Sequence, residues 1–193
     1  MATSLNPTAP AAVPQPFFVA WYDTPIGRLL LGASERGVCL LEFGDRETLD
    51  DHLATVGRRL GCTATWADHP HLARLRDELA GYFAGRLRGF SVPLVYPGSG
   101  FQVHVWNGLL RIPYGETRSY EQLAQELGAP GAQRAVGHAN GQNPIAIVIP
   151  CHRVVAKDGG LGGYGGGLRR KRWLLEVEGR GMGQVEPELE LGA

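Results

Sequence analysis

The stretch Ile149-Pro150-Cys151-His152-Arg153-Val154 places a cysteine between a proline and a histidine, directly after an apolar run. A thiolate, not a thiol, is the nucleophile, and a nearby imidazole can lower the thiol pKa or take its proton. Pro150 fixes the angle at which the backbone enters this dipeptide. Sequence neighbours do not automatically touch, so two readings stand at this point. Cys151 and His152 are either a reactive pair, or a small buried cysteine beside a surface histidine.

Two other stretches carry candidate chemistry. Lys157-Asp158-Gly159-Gly160-Leu161-Gly162-Gly163-Tyr164-Gly165-Gly166-Gly167 is glycine-rich but lacks the Gly-Lys-Ser/Thr ending of a phosphate-binding loop. Its glycines suit close backbone approach to something flat or bulky. Tyr164 is the one aromatic there, either a wall of a site or a ring closing over the core. Arg134 stands among Ala132, Ala135, Gly137 and Ala139. A helix of small side chains can approach a surface closely, and the alternative is an ordinary solvated arginine.

The bulk properties narrow the class. The 193 residues are 44% hydrophobic and 20% charged, enough for one large domain or two small ones with a real core. No apolar run reaches the roughly 20 residues of a membrane span, and the N-terminus has no signal-peptide pattern. Cys39, Cys62 and Cys151 are odd in number and lack a CxxC pair, which argues against a disulfide framework and a zinc cluster. A reducing cytoplasm is the expected compartment. Formal charge is zero overall, but residues 101–183 hold 10 basic and 6 acidic side chains. That excess permits a polyanionic partner without demanding one.

Elements that must position these residues follow from periodicity. Residues 17–43 alternate β-formers with turn signals at Pro25-Ile26-Gly27 and Glu35-Arg36-Gly37, predicting a β-meander. Leu49, Leu53, Val56 and Leu60 fall at helical spacing, as do Leu72, Leu75, Leu79 and Phe83. Val92-Pro93-Leu94 reads as a last short strand and Pro97-Gly98-Ser99-Gly100 as a linker. Phe101, Val105, Trp106 and Leu109 then make a helix face ending near Ile112-Pro113. Ser119 with Gln122 predicts a capping box, and Gly128 a helix stop. A turn at Ala129-Pro130-Gly131 leads to a second short helix over 132–141, the shape of a helix-turn-helix. Residues 145–149 (Ile-Ala-Ile-Val-Ile) read as a buried strand. A last helix carries Trp173, Leu174 and Val177. The expected division is a flexible arm over 1–16, an N-terminal α/β domain over 17–97, a C-terminal domain over 98–183 and a flexible acidic tail over 184–193.

With these residues in view the chain resembles the O6-alkylguanine-DNA alkyltransferases, the methylated-DNA–protein-cysteine methyltransferases. The resemblance rests on Asn143, Pro150 to Val154, the glycine loop with Tyr164, and Trp173-Leu174-Leu175 leading to Glu178. It also rests on Pro113-Tyr114-Gly115-Glu116, Ser119 to Ala124, and Arg134-Ala135-Val136-Gly137. It runs from about residue 100 to 180, and the first half matches more loosely. It implies an α+β fold: an RNase H-like α/β domain followed by a mainly helical C-terminal domain with a helix-turn-helix (winged-helix-like).

The resemblance also implies roles. Cys151 is the acceptor of an alkyl group displaced from O6 of guanine, once and irreversibly. His152 takes its proton through a water, Glu178 orients His152, Tyr120 donates toward N3 of the departing base, and Asn143 ties the turn that presents Cys151. The partner is double-stranded DNA containing O6-alkylguanine, entered from the minor groove by a monomer. The damaged nucleotide is flipped into a pocket. Arg134 fills the gap while Ala135 and Gly137 let the helix lie close, with Tyr120 also near the DNA. The carbonyls of Cys151 and Val154 read the base edge, Tyr164 walls the pocket, and the Gly165 amide approaches O6. No cofactor and no metal are implied.

Departures from the family pattern are His138 and Asn140 on the recognition helix and Ala146 where some members have proline, which leaves tolerance for bulky adducts open. Three other readings compete. A non-catalytic lesion binder would lack the acceptor cysteine. A Cys–His hydrolase would need an oxyanion hole. A plain helix-turn-helix regulator leaves Glu178 and the glycine loop unexplained.

Overall fold

A computed structural model describes residues 16–180. The expected acidic tail, and the expected arm apart from Pro16, lie outside them. The architecture is α+β, with the sheet in the N-terminal part and helices dominating the C-terminal part.

The meander is present. β1 (Phe17–Thr24), β2 (Gly27–Ser34) and β3 (Gly37–Phe43) pair antiparallel in sequence order. The continuous run Leu29-Leu30-Leu31 in β2 follows from burial on both faces. Leu29 and Leu31 pack toward α2 (Pro70–Phe83), while Leu30 packs with Phe17, Val19 and Leu40 toward α1 (Leu49–Leu60). A fourth strand, β4 (Ala64–Trp66), joins β1 in parallel. Its exposed side chains leave no alternation to read in the sequence.

Several elements differ from expectation. The apolar face of α2 is Leu72, Leu75, Leu79 and Tyr82; Phe83 is only partly buried. Val92-Pro93-Leu94 makes a single parallel bridge to Val38 rather than a strand, because Pro93 contributes only its carbonyl, to the Val38 amide at 2.8 Å. The stretch read as a linker is tightly built. Ser99 and Gln102 form a capping box on α3 (Gly100–Leu110), and a Cβ on Gly98 would lie 2.6 Å from the Trp106 ring. Phe101 stays 40% exposed, while Val105, Trp106 and Leu109 are buried.

A two-residue strand β5 (Arg118–Ser119) leads into α4 (Tyr120–Glu126), started by the expected Ser119–Gln122 capping box. Gly128, at φ 69°, turns the chain toward α5 (Gln133–Gly141). Trp106 on α3 fastens α5 by donating from Nε1 to the Ala139 carbonyl at 2.9 Å. Residues 145–149 form a coiled turn, not a strand. Ile149 N–H donates to Ile145 O at 2.9 Å, and Ile147 sits at φ 69°. A β-branched residue there is strained. The turn hangs on the sheet edge through Leu41, whose amide donates to Pro144 O and whose carbonyl accepts from Ala146 N–H. It ends in a 3-10 turn over Cys151–Arg153, then β6 (Val154–Val155), parallel to β5, and finally α6 (Leu168–Arg180). Among the described residues no helix is long and apolar enough to cross a membrane.

Candidate active site

Asn143 holds the strained turn that precedes Cys151. Its Oδ1 accepts from Ile145 N–H at 3.0 Å, and its Nδ2 donates to Ile149 O at 2.8 Å. Both contacts are buried, so the turn is closed from inside. Cys151 follows at 6% exposure, on a cavity of about 200 Å3 that Tyr120, Gly137, Asn140, Asn143, Tyr164 and Gly165 also line. Burial pushes its thiol up to about 11, with the Glu42 carboxylate adding to the shift and Asn143, Lys171 and Arg46 opposing it. Cys151 is therefore a thiol at neutral pH and needs a base to become a nucleophile.

His152 is fully buried beside it. Its Nε2 lies 2.9 Å from Glu178 Oε1 on α6. Because an ionised carboxylate only accepts, Nε2 carries the hydrogen, and Nδ1 is left with the lone pair. Nδ1 is buried and has no hydrogen-bond partner. Burial holds the His152 pKa below its ordinary value, so the ring is neutral and able to take a proton.

Glu178 is held by more than His152. Arg153 donates from Nε to Oε2 and from Nη2 to Oε1, both at 2.9 Å. The Gly115 amide donates to Oε2 at 3.1 Å, and the Tyr82 hydroxyl to Oε1 at 2.7 Å. Burial opposes the charge, but the hydrogen bonds from His152 and Arg153 and the Arg153 charge bring its pKa to about 2. The fixed anion keeps the imidazole in one tautomer. The Pro113-Tyr114-Gly115-Glu116 stretch now has a local reason. Gly115 adopts φ 78°, its amide reaches Glu178, and the Tyr114 hydroxyl donates to Val177 O at 3.2 Å.

Of the base-reading candidates, Cys151, Tyr164 and Gly165 line the cavity, and Val154 does not. Cys151 O accepts from Asn140 Nδ2 at 3.4 Å, and Val154 O from Lys171 Nζ at 2.5 Å. A carbonyl has two lone pairs, so each can take a further donor. The Tyr164 ring meets Phe43 edge-on at 6.0 Å, and its buried hydroxyl has no partner. Burial raises the Tyr120 pKa, so its phenol keeps the proton. Arg134 and Ala135 are exposed on α5, away from this cluster, and Gly137 lies against the Tyr120 ring.

Sequence reasoning missed Tyr82, Lys171, Glu42 and Arg46. Two of them had a signal. Tyr82 extends the Leu72, Leu75, Leu79 spacing, and Lys171 lies on one helix face with Leu174 and Glu178. Lys171 is fully buried, which pushes its pKa down to about 8. Glu42 and Arg46 reach the cavity from the N-terminal sheet, and no local pattern points there. Arg153, in the same stretch as Cys151, forms a buried ion pair with Glu178. Cys39, Cys62 and Cys151 are free thiols. Among the described residues no cluster of His, Cys, Asp and Glu could hold a metal.

Two family profiles match the chain. One, described as 6-O-methylguanine DNA methyltransferase, ribonuclease-like domain, covers residues 18–96. The other, 6-O-methylguanine DNA methyltransferase, DNA binding domain, covers residues 100–180. The chain is 62% identical over 102 residues to the methylated-DNA–protein-cysteine methyltransferase of Mycobacterium bovis, a match over 53% of this chain and 62% of that protein, less than two thirds of its length. It is 47% identical over 160 residues to the protein of the same name from Mycolicibacterium paratuberculosis, covering 82% of this chain and 90% of that one. The crystal structure of Mycobacterium tuberculosis OGT in complex with DNA superposes with a TM-score of 0.70 at 45% identity, over 85% of this chain and 92% of that one.

Proposed function

The chain belongs to the 6-O-methylguanine DNA methyltransferase family, and on that premise we propose that it repairs O6-alkylguanine in duplex DNA by moving the alkyl group to Cys151. The observation that carries this reading is the His152–Glu178 pair behind a protonated, cavity-lining thiol. Glu178 fixes the imidazole through Nε2 and leaves Nδ1 as the base.

The Cys151 proton passes through a water to His152 Nδ1. Sγ attacks the alkyl carbon, the carbon–O6 bond breaks, and its electron pair stays on the base. Tyr120 donates toward N3 to offset the growing charge, because a neutral leaving base is better than an anion. The thiol proton is the one the restored guanine finally carries. The product is a thioether with no route back to a thiol, so each chain acts once. The raised thiol pKa suits such a one-use nucleophile, since little thiolate exists to react with anything else.

The target atom lies inside a duplex, so the nucleotide is flipped into the cavity. Arg134, exposed on α5 among small residues, fills the vacated stack from the minor groove, with Ala135, Gly137 and Tyr120 close to the DNA. The carbonyls of Cys151 and Val154 read the base edge, the Gly165 amide approaches O6, and Tyr164 walls the pocket. Asn143 maintains the turn below Cys151. We assign the N-terminal unit to residues 17–97 and the reactive unit to 98–183, and place the protein in the cytoplasm as a monomer.

The test is transfer of label. Duplex DNA carrying radiolabelled O6-methylguanine is expected to leave one label per chain, and Cys151→Ala none. Label that stays in the DNA, label on the Cys151→Ala chain, or repeated turnover would each overturn the reading.

A further inference from the structure

One wall of the reaction cavity comes from the N-terminal sheet. Glu42 and Phe43 end β3, Arg46 follows, and among the described residues Glu42 and Arg46 are the charged side chains on the cavity. Glu42 is fully buried. Its carboxylate accepts from Phe43 N–H at 2.9 Å and from Arg46 Nη1, and lies 2.9 Å from His52 Nδ1. Arg46 Nη2 donates to Gly141 O, at the end of α5, at 3.2 Å. On its other side the guanidinium packs against the glycine loop. A Cβ on Gly165 would lie 2.8–2.9 Å from its carbon and both terminal nitrogens. Arg46 thus spans from the recognition helix to the glycine loop, two walls of the same cavity.

Beyond this side chain lies a second, more open groove of about 430 Å3 lined by Asp45, Arg46, Thr48, Gly165, Gly166 and Arg170, among others. Arg46, Gly165 and Gly166 belong to both spaces. The two glycines contribute only backbone, so the one side chain standing between them is that of Arg46.

We propose that Arg46 is a gate between the reaction cavity and this groove, and that it sets the largest O6 substituent the protein accepts. The inference rests on the alkyl-transfer reading above. With the guanidinium on Gly141 O the cavity holds the base and a short alkyl group. When Arg46 releases Gly141 O, which its long side chain can do while keeping Glu42, a ring-bearing substituent extends over the flat backbone of Gly165 and Gly166 into the groove. Glu42, held by three partners, is the fixed post and Arg46 the movable bar. Bulky adducts therefore bear the cost of opening, and methyl does not.

The test compares single-turnover transfer from duplexes carrying O6-methylguanine or O6-benzylguanine, using the full chain. In Arg46→Ala the benzyl-to-methyl rate ratio is expected to rise about tenfold, the factor that one charge-assisted hydrogen bond represents. Arg46→Lys keeps the cation but loses the planar fork, so its ratio should rise less. The ratio, unlike the rates, is insensitive to how much of each variant is folded. An unchanged or lowered ratio in Arg46→Ala overturns the gate even where both rates fall. A wild-type chain that takes neither group overturns the functional reading itself, and the gate with it.

Discussion

Tyr82 and Glu178 are 96 residues apart in sequence and share a hydrogen bond of 2.7 Å. A helix of the N-terminal part thereby reaches the carboxylate that orients His152. Glu178 is the acceptor on which Tyr82, Gly115, His152 and Arg153 converge, so this one carboxylate joins the two halves of the chain and aligns the candidate base.

Tyr82→Phe keeps the ring and removes only the donor. Stability is expected to fall by about 2 kcal/mol, the range for a hydrogen bond to a charged group. Urea denaturation measures it. A loss below about 0.5 kcal/mol, the scatter of neutral substitutions, would show that the bond carries no weight.

Stability should also depend on pH through Glu178. Its folded pKa is about 2 against an ordinary 4.5. As pH falls through 4.5 the unfolded chain takes up a proton that the folded chain refuses. The contribution is therefore full above 4.5 and is lost toward 2, amounting to about 3 kcal/mol. Denaturation midpoints followed from neutral to acid pH should show this fall. Glu178→Gln should be less stable at neutral pH and should flatten the acid limb. An unchanged limb in that variant would assign the acid sensitivity to other carboxylates.

Asn143→Ala leaves Ile145 N–H buried without its partner, while Ile149 O keeps only the Cys151 amide. The orphaned N–H costs about 1–3 kcal/mol, and the strained Ile147 turn loses its tie. Lower stability together with slower transfer at Cys151 is expected, read by denaturation and by single-turnover label transfer. Loss of stability with an unaltered transfer rate would separate the turn from the chemistry.

Arg134→Ala tests base flipping separately from chemistry. Arg134 is exposed and outside the cavity, so reaction with free O6-benzylguanine should be unchanged. Transfer from duplex DNA should slow by at least about tenfold, since unstacking costs a few kcal/mol. Equal slowing on both substrates would argue against the flipping role.

How much of this was legible follows from what each feature depends on. The meander, α1, α2, the Ser119 capping box and α6 are local. Their signals are spacing and caps within one or two turns of chain, and they appear where the periodicity put them. The run at 145–149 was misread because composition alone cannot tell a buried strand from a buried coil. What decides is the pair of Asn143 bonds and the contacts with Leu41. β4 was missed because exposed residues carry no alternation, and Phe83 displaced Tyr82 because both fit a helical spacing within one position.

By itself the sequence determined the candidate reactive stretch, the elements flanking it and the family, because motifs and periodicities are short-range properties of the chain. The tertiary structure alone decided that His152 faces Glu178 rather than solvent, that Arg153 and Tyr82 converge on the same carboxylate, and that Arg46 bonds Gly141 O, 95 residues away. Those relations depend on how two halves of the chain pack. Burial in that packing, rather than residue type, shifts Cys151 up and gives His152 its one free nitrogen.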